Sequence, residues 1–249
     1  KLVDTKDGVP NELLGVRRDH YGDRAAANEL AKRGYVVLTF DCFMWGSRNF
    51  SFKDMPGRLK EILGRDEYES LAIMHESMVL SKYLSLFGTT LAGLLNFDDR
   101  VALSVAKSLP EGDGKVAVMG LSGGGCRTLY LHATNSDITA SVSVGAMATY
   151  SSLLDIHVAP HSWMFFPQNL AQFGDWPDVA LLGGPKNLYI QYCGDDQLFT
   201  KEGTKDADTY INKRYESGKY KSSFYPVKHS FTKDMQEDAF NWLDQVMEK

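Results

Sequence analysis

The sequence is poor in cysteine, and this limits the chemistry that sulfur can supply. Its 249 residues include three cysteines, Cys42, Cys126 and Cys193, and no two of them form a C-x-x-C pair. An odd number of widely separated cysteines argues against a disulfide framework and against a zinc knuckle. H-E-x-x-H and a P-loop are also missing, and no G-x-G-x-x-G segment follows a strand pattern, so we expect no metal and no cofactor.

Long apolar runs and a surplus of basic charge are missing as well. The longest uncharged stretches, Tyr83–Phe97 and Ile138–Leu154, contain Ser, Thr and Gly. They fall short of the roughly 20 apolar residues that a membrane-spanning helix needs. The 27 Lys and Arg residues and 32 Asp and Glu residues are interspersed and give a net charge of −5. We therefore expect neither a membrane span nor a nucleic-acid surface.

Short apolar runs rich in β-branched residues alternate with helical patterns. The first four runs are nearly continuous, which is typical of strands buried on both faces of a parallel sheet, whereas the fifth contains Pro226 and favours an edge position. The predicted strands are Tyr35–Asp41, Lys115–Leu121, Ile138–Gly145, Asn187–Cys193 and Lys221–Val227. The predicted helices are Asp23–Arg33, Asp98–Leu109, Gly124–Ala133, Asp206–Ser217 and Thr232–Met247.

This alternation predicts an α/β fold, in which a mostly parallel sheet carries helices on both faces as a three-layer sandwich. We find no linker and expect one domain over residues 1–249. About 55 residues at positions 43–96 separate the first strand from the next helix, which is too long for a simple loop. Helical spacing predicts helices in this insertion, either packed on the domain or covering a site; it is seen at Tyr68, Leu71, Met74 and Met78.

The most informative motif is Gly120-Leu121-Ser122-Gly123-Gly124, a G-x-S-x-G sequence between a predicted strand and a predicted helix. A serine on such a tight turn presents its hydroxyl outward, and glycines relieve clashes around it. The following helix directs its N-terminus at the site, where the Gly123 amide can stabilise an oxyanion. We therefore predict Ser122 as a nucleophile, with a structural turn as the alternative.

A serine nucleophile needs a base, and the base needs a carboxylate to orient it. Both residue types follow later strands, in the order acid and then histidine. Asp195 and Asp196 come after the strand Asn187–Cys193, and His229 comes after Lys221–Val227. Because neighbouring residues in a turn point differently, only one aspartate can face His229, and we favour Asp196. A surface histidine is the alternative for His229.

With these residues in view, the chain resembles the α/β-hydrolase superfamily, and within it the dienelactone-hydrolase-like and acetyl xylan esterase-like branch. The resemblance rests on the serine motif and on Asp41, Trp45-Gly46-Ser47-Arg48, His161-Ser162-Trp163, Gly194–Phe199 and His229-Ser230-Phe231. It implies Ser122 as nucleophile, His229 as base and Asp196 as the orienting acid. It also implies pocket walls formed by Trp45, Arg48, His161 and Trp163, although Trp163 could equally belong to the core.

The segment Lys1–Gly22 is polar and rich in turn residues, and the H-G-G-type motif that usually supplies a second oxyanion donor is missing. The superfamily's strand order places a further strand between Tyr35–Asp41 and Lys115–Leu121. Unpaired buried backbone groups would be costly there. We therefore hypothesise that the domain is N-terminally incomplete, or that the gap is filled in another way.

The leading interpretation is a serine carboxylesterase that forms an acyl-enzyme and acts on small or carbohydrate acetyl esters. One alternative is a hydrolase-fold binding protein without catalysis, which the missing oxyanion motif favours. Another is a serine peptidase, which usually carries an additional gating domain. Four aromatic side chains either form a platform for a sugar ring or fill the core: Tyr150, Trp163, Phe165 and Trp176.

Overall fold

The computed structural model describes residues 2–4, 8, 11–63 and 76–248. In these ranges the strands are β1 (Val116–Leu121), β2 (Ile138–Val144), β3 (Asn187–Cys193) and β4 (Tyr220–Tyr225). The α-helices are α1 (Asn11–Tyr21), α2 (Ala26–Lys32), α3 (Gly57–Leu63), α4 (Ser81–Leu86), α5 (Leu91–Ser108), α6 (Gly123–Thr134), α7 (Trp176–Leu182), α8 (Lys201–Asn212) and α9 (Lys233–Val246). A π-helix spans Glu76–Leu80, and short 3₁₀ helices lie between β2 and α7.

The four strands form one parallel sheet in the order β1-β2-β3-β4. Leu121 at the end of β1 is level with Val144 of β2, and Cys193 at the end of β3 is level with Tyr225 of β4. The carboxyl ends of all four strands therefore meet at one edge, where the turns that follow them come together.

Two apolar cores lie on opposite faces of the sheet, and β3 shows how one strand serves both. Ile190 and Tyr192 face the core shared with α6, α7 and α8, whereas Tyr189 and Cys193 face the core shared with α2 and α9. Successive side chains of a strand point to opposite faces, so an apolar run such as Asn187–Cys193 can bury both. The structure confirms the predicted three-layer α/β architecture.

Threonine caps set the starts of several helices. The side chains of Thr90, Thr200 and Thr232 each accept a hydrogen bond from a backbone amide in the first turn of α5, α8 and α9. Such caps satisfy N–H groups that have no partner inside the helix. Because of the first two caps, α5 begins at Leu91 rather than at Asp98, and α8 begins at Lys201 rather than at Asp206.

The predicted strand at Tyr35–Asp41 is wrong, because these residues form no strand. Val37 packs against the core of α2 and α9, but Val36, Leu38 and Phe40 are exposed. A strand needs a neighbour that pairs with its backbone, and in the described part of the chain β1 pairs with β2 alone. The segment and β1 do not pair with each other, so the hypothesis of a further strand between them stays a prediction.

Helices α1 and α7 were not expected from the sequence. Helix α1 lies in the segment Lys1–Gly22 that the pattern assigns to turns, and Tyr21 at its end is buried. In the insertion, α3, the π-helix, α4 and the start of α5 are helical. Tyr68, Leu71 and Met74 lie outside the described residues, as does the side chain of Met78. None of the helices in the described ranges is both long and apolar enough to cross a membrane.

Candidate active site

Ser122 occupies a sharp turn between β1 and α6. Its backbone angles, φ 58° and ψ −121°, lie in a region that residues with a side chain rarely adopt. The turn is held by two hydrogen bonds, from Ser122 N to Val144 O at 2.8 Å and from Cys126 N to Ser122 O at 2.9 Å. A Cβ on Gly120 would lie 2.3 Å from the carbonyl carbon of Gly124, so only glycine fits there.

Gly123 is the first residue of α6. Backbone N–H groups in the first turn have no acceptor within the helix, and the helix dipole places partial positive charge there. The side chain of Met164 approaches this point, since a Cβ on Gly123 would lie 3.2 Å from Met164 Cε. The Gly123 amide thus has no acceptor within α6, and its role as an oxyanion donor stays a prediction.

His229 and Asp196 form a close pair beyond the ends of β3 and β4. His229 Nδ1 lies 2.5 Å from Asp196 Oδ2, and only 2% of the Asp196 side chain is exposed. The other carboxylate oxygen of Asp196 accepts a hydrogen bond from Leu198 N at 2.9 Å. Asp195 is exposed instead and pairs with Lys201 at 3.2 Å. The two neighbouring aspartates thus have different partners, and His229 contacts Asp196.

Gly145 links the serine turn to the histidine. It follows Val144, whose carbonyl holds Ser122 N, and a Cβ on Gly145 would lie 3.3 Å from His229 Cε1. The Nδ1–Cε1 edge of the imidazole therefore lies beside the strand end that fixes the serine turn. Asp196 and His229 are in contact at the carboxyl edge of the sheet, where the Ser122 turn also lies, and a contact between the Ser122 hydroxyl and His229 stays a prediction.

Trp45 and Arg48 lie on the turn after the segment 35–41. Trp45 is partly buried against the core that contains Leu91 and Leu95. The guanidinium of Arg48 forms an ion pair with Asp98 at 2.6 Å and lies over the ring of Phe43. These contacts occupy the Arg48 charge within the protein, and a substrate contact by Trp45 or Arg48 stays a prediction.

His161 and Trp163 lie on a segment that borders the His229 pair. The His161 ring stacks on Phe165 at 5.0 Å, and its Nε2 lies 3.0 Å from Leu198 O. Burial lowers the pKa of His161 and so favours the neutral ring. Of the four aromatics proposed as a sugar platform, Trp163 is 46% exposed and Tyr150 is partly buried.

The remaining platform aromatics belong to the core. Phe165 and Trp176 are buried, and their rings lie 4.6 Å apart. Trp176 Nε1 donates a hydrogen bond to Ala146 O at 2.7 Å, which satisfies its polar atom inside the protein. For Phe165 and Trp176 the structure therefore favours core packing over a sugar platform.

The cysteines near the site are buried. Burial raises the pKa of the Cys126 thiol, and it raises the pKa of Cys193 to about 11. Both thiols are therefore neutral near pH 7. Cys126 packs as a small apolar group, whereas Cys193 Sγ donates to Ser230 O at 3.2 Å. Within the described ranges no three His, Cys, Asp or Glu side chains are grouped so as to hold a metal ion.

Two residues near the site were missed by the sequence analysis. Glu76 is buried, and its Oε1 accepts hydrogen bonds from Ser162 Oγ and Trp163 N, both at 2.7 Å. Burial raises the pKa of Glu76, whereas these two bonds act in the opposite direction. His20 contacts the backbone of His229. Neither residue belongs to a recognisable motif, because each meets its partner only through the folded chain.

A cavity of about 320 Å³ lies beside α5 and the loop before α7. Asn96, Tyr130 and Phe173 are among its lining residues, but Ser122, Asp196 and His229 are not. Tyr130 donates a hydrogen bond to Met164 O at 2.7 Å, and Met164 in turn contacts Gly123. The cavity and the serine turn are therefore separate features on either side of Met164.

The parallel sheet with helices on both faces has the α/β-hydrolase fold. A similar solved structure is a Bacteroides fragilis protein described as a candidate acetyl xylan esterase, with a TM-score of 0.65 and 14% identity over 90% of this chain and 62% of that one. A glucuronoyl esterase from Solibacter usitatus matches with a TM-score of 0.53 and 14% identity over 64% of this chain. A glucuronoyl esterase from Caldicellulosiruptor kristjansonii matches with a TM-score of 0.53 and 16% identity, also over 64% of this chain.

The chain spans about half the length of the two glucuronoyl esterases, covering 50% of the first and 51% of the second. No protein-family model matches the chain, and no curated protein matches its sequence. At these identities the similarity establishes the fold, and the activity is a separate question.

Proposed function

We propose that this protein is a serine hydrolase of carboxylic esters in which Ser122 is the nucleophile, His229 the base and Asp196 the orienting acid. The observation that carries the proposal is the 2.5 Å contact between His229 Nδ1 and Asp196 Oδ2, at the same sheet edge as the strained Ser122 turn. A strained backbone at a serine between a strand and a helix is typical of a nucleophile. The esterase names of the structural neighbours add support.

In the proposed mechanism each of the three side chains has one role. An ionised Asp196 accepts the Nδ1–H of His229 and leaves Nε2 as the proton acceptor. Ser122 Oγ attacks the ester carbonyl carbon, and its proton passes to His229 Nε2. The carbon–oxygen bond to the alcohol then breaks as His229 returns that proton to the leaving oxygen. Water then loses a proton to the same nitrogen and attacks the acyl carbon. The bond from that carbon to Ser122 Oγ breaks as His229 returns the proton to Oγ, and the carboxylic acid is released.

The oxyanion of the tetrahedral intermediates lies within reach of the α6 N-terminus in this mechanism. We assign the Gly123 amide as one donor, because it is the first N–H of that helix. A second donor is usual in this fold. The G-x-S-x-G turn supplies only one of them, and no H-G-G-type motif is present to supply the other.

We propose carbohydrate esters, acetyl esters first, as the substrate class. The names of the structural neighbours support this choice, and Trp163 presents a partly exposed indole beside the site. Acetylated xylo-oligosaccharides and methyl glucuronate esters distinguish the two kinds of ester that those names print. No cofactor is required, because proton transfer and acyl transfer use side chains alone.

The first test is reaction with a fluorophosphonate followed by intact mass and peptide mapping, together with hydrolysis of 4-nitrophenyl acetate. Replacing Ser122 with Ala should abolish labelling and lower kcat by at least about 10³-fold, because the nucleophile is removed. Ser104→Ala is a matched control, since Ser104 is an exposed helical serine on α5. It should leave both readouts unchanged.

Different outcomes separate the alternatives. A protein that neither labels nor hydrolyses any ester would favour the non-catalytic binding protein. Amide hydrolysis faster than hydrolysis of the matching ester would favour a peptidase. Labelling at a serine other than Ser122 would overturn the assignment of the nucleophile.

A further inference from the structure

The turn that carries His229 is fastened to helix α1 by two hydrogen bonds in opposite directions. His20 Nδ1 lies 2.8 Å from His229 O, and Phe231 N donates to His20 O at 2.7 Å. Both contacts involve one residue of α1 and the backbone on either side of Ser230. The last turn of α1 therefore fixes the chain direction at His229.

A second set of bonds closes around the same turn. The side-chain amide of Gln236, which is fully buried, donates to Phe231 O at 2.7 Å and to Tyr21 O at 3.0 Å. Cys193 Sγ contacts Ser230 O at 3.2 Å. The carbonyls of residues 229, 230 and 231 are each bonded to a different side chain, and the backbone of the turn has little freedom to move.

The two histidines also contact each other through their rings. The ring centroids of His20 and His229 lie 6.2 Å apart with an interplanar angle of 74°, an edge-to-face arrangement. Nδ1 of the His229 ring is held by Asp196. The backbone and the ring of His229 are thus held by different residues, His20 and Asp196.

We propose that His20 is a positioning residue for the reaction, acting through His229. The inference rests on the proposed function, in which His229 is the base. A carbonyl oxygen only accepts hydrogen bonds, so the proton of neutral His20 must be on Nδ1. The protonated ring carries the same N–H, and the bond to His229 O is kept in both states. His20 therefore works as a fixed donor and takes no part in the proton transfers.

Three substitutions of His20 separate the hydrogen bond from the shape of the ring. His20→Phe keeps an aromatic ring but removes the donor. His20→Asn can place an amide N–H near the position of Nδ1, whereas His20→Gln places it farther along the side chain, near Nε2. Arg18→Phe is the matched control on the same helix, because the Arg18 side chain is 72% exposed and far less buried than His20.

Hydrolysis of 4-nitrophenyl acetate by the full chain should report the loss in kcat. We expect His20→Phe to lower kcat about tenfold, the size that one lost hydrogen bond produces, with KM changed less than about twofold. His20→Asn should restore kcat to within about threefold of the parent, whereas His20→Gln should stay as low as His20→Phe. Arg18→Phe should match the parent.

A proton NMR spectrum gives a readout that does not depend on activity. The Nδ1–H proton of His229 bonded to Asp196 should give a downfield signal, which His20→Phe broadens or shifts and His20→Asn retains. Unchanged kcat and an unchanged signal in His20→Phe would overturn the proposal. So would equal losses in His20→Phe and His20→Asn, which would assign the effect to ring shape. If the parent shows neither labelling nor hydrolysis, the proposed function fails, and the NMR comparison alone decides whether His20 positions His229.

Discussion

Two stretches of this chain have nearly the same sequence pattern but different surroundings. Asn187–Cys193 and Tyr35–Asp41 are both continuous apolar runs with aromatic and aliphatic side chains. The first is β3, a central strand with paired neighbours on both sides and buried residues from Leu188 onward. The second forms no strand, and its Val36 is 51% exposed.

This difference shows that an apolar run indicates a tendency to be buried but does not indicate whether a neighbouring strand is present to pair with it. Strand β3 hydrogen-bonds to β2 and β4, and its side chains enter both cores. The 35–41 segment has one face on the core of α2 and α9, where Tyr35 donates to Asp244 at 2.9 Å. Among the described residues, no strand pairs with the backbone of this segment or with the outer edge of β1. Strand formation depends on long-range pairing that local pattern does not contain.

The largest effect should come from truncating one side chain in each stretch. Ile190→Ala should lower the free energy of unfolding by about 2–5 kcal/mol, because Ile190 is fully buried and a cavity remains. Leu38→Ala should change it by less than about 1 kcal/mol, because Leu38 is 41% exposed. Urea denaturation of both variants measures the two values.

Equal losses in the two variants would break the comparison. They would mean that the 35–41 segment is covered in solution by something that the described residues do not include. A change in the m-value of either variant would point to altered compactness instead of altered packing.

The pH dependence of stability is a second test of burial, because α6 carries a buried, uncharged histidine. His132 is fully buried, with Nδ1 2.8 Å from Ser141 Oγ and Nε2 3.0 Å from Tyr215 OH. Burial, with a smaller contribution from Lys186, lowers the pKa of His132 from 6.5 to about 3. Between about pH 6.5 and pH 3, the unfolded chain therefore binds a proton at His132 that the folded chain does not bind.

The sign follows from this difference. Above pH 6.5 His132 is neutral in both the folded and the unfolded chain, so it adds no pH dependence to the free energy of unfolding. As the pH falls from about 6.5 toward 3, the free energy of unfolding should fall by as much as about 1.4 kcal/mol per pH unit from this group. Urea midpoints measured from pH 7.5 to about 4.5 test it. His132→Gln should flatten the dependence, and an equally steep dependence in that variant would assign it to other groups.

The smallest effect concerns the exposed face of the 35–41 segment. Arg127 lies over the ring of Phe40 at 5.0 Å while its guanidinium forms an ion pair with Asp99. Phe40→Leu should cost about 0.5–1 kcal/mol, since a partly exposed cation–π contact is lost and the ion pair is kept. Phe224→Leu is the matched change on the edge strand β4, where Phe224 stacks on Tyr192 at 4.4 Å. Thermal midpoints compare the two.

The sequence predicted four of the strands and the choice of Asp196 rather than Asp195 as the partner of His229. Buried parallel strands carry a strong local signal, and the turns after them must converge. The sequence pattern places the starts of α5 and α8 too late, because the capping residues Thr90 and Thr200 lie upstream of the predicted helices. Glu76 and His20 could not be found, since their roles depend on partners far along the chain.

The contact between His20 and His229 joins residues 209 positions apart. Translation delivers His20 near the beginning of this sequence and His229 close to its end. The Ser122 turn, by contrast, can form as soon as β2 follows it, since its bond to Val144 spans a short stretch. A growing chain would therefore have its serine turn in place long before the histidine turn has a helix to rest against. In the proposed mechanism, a chain that stops before His229 would have the serine turn but no base, and it would be inert.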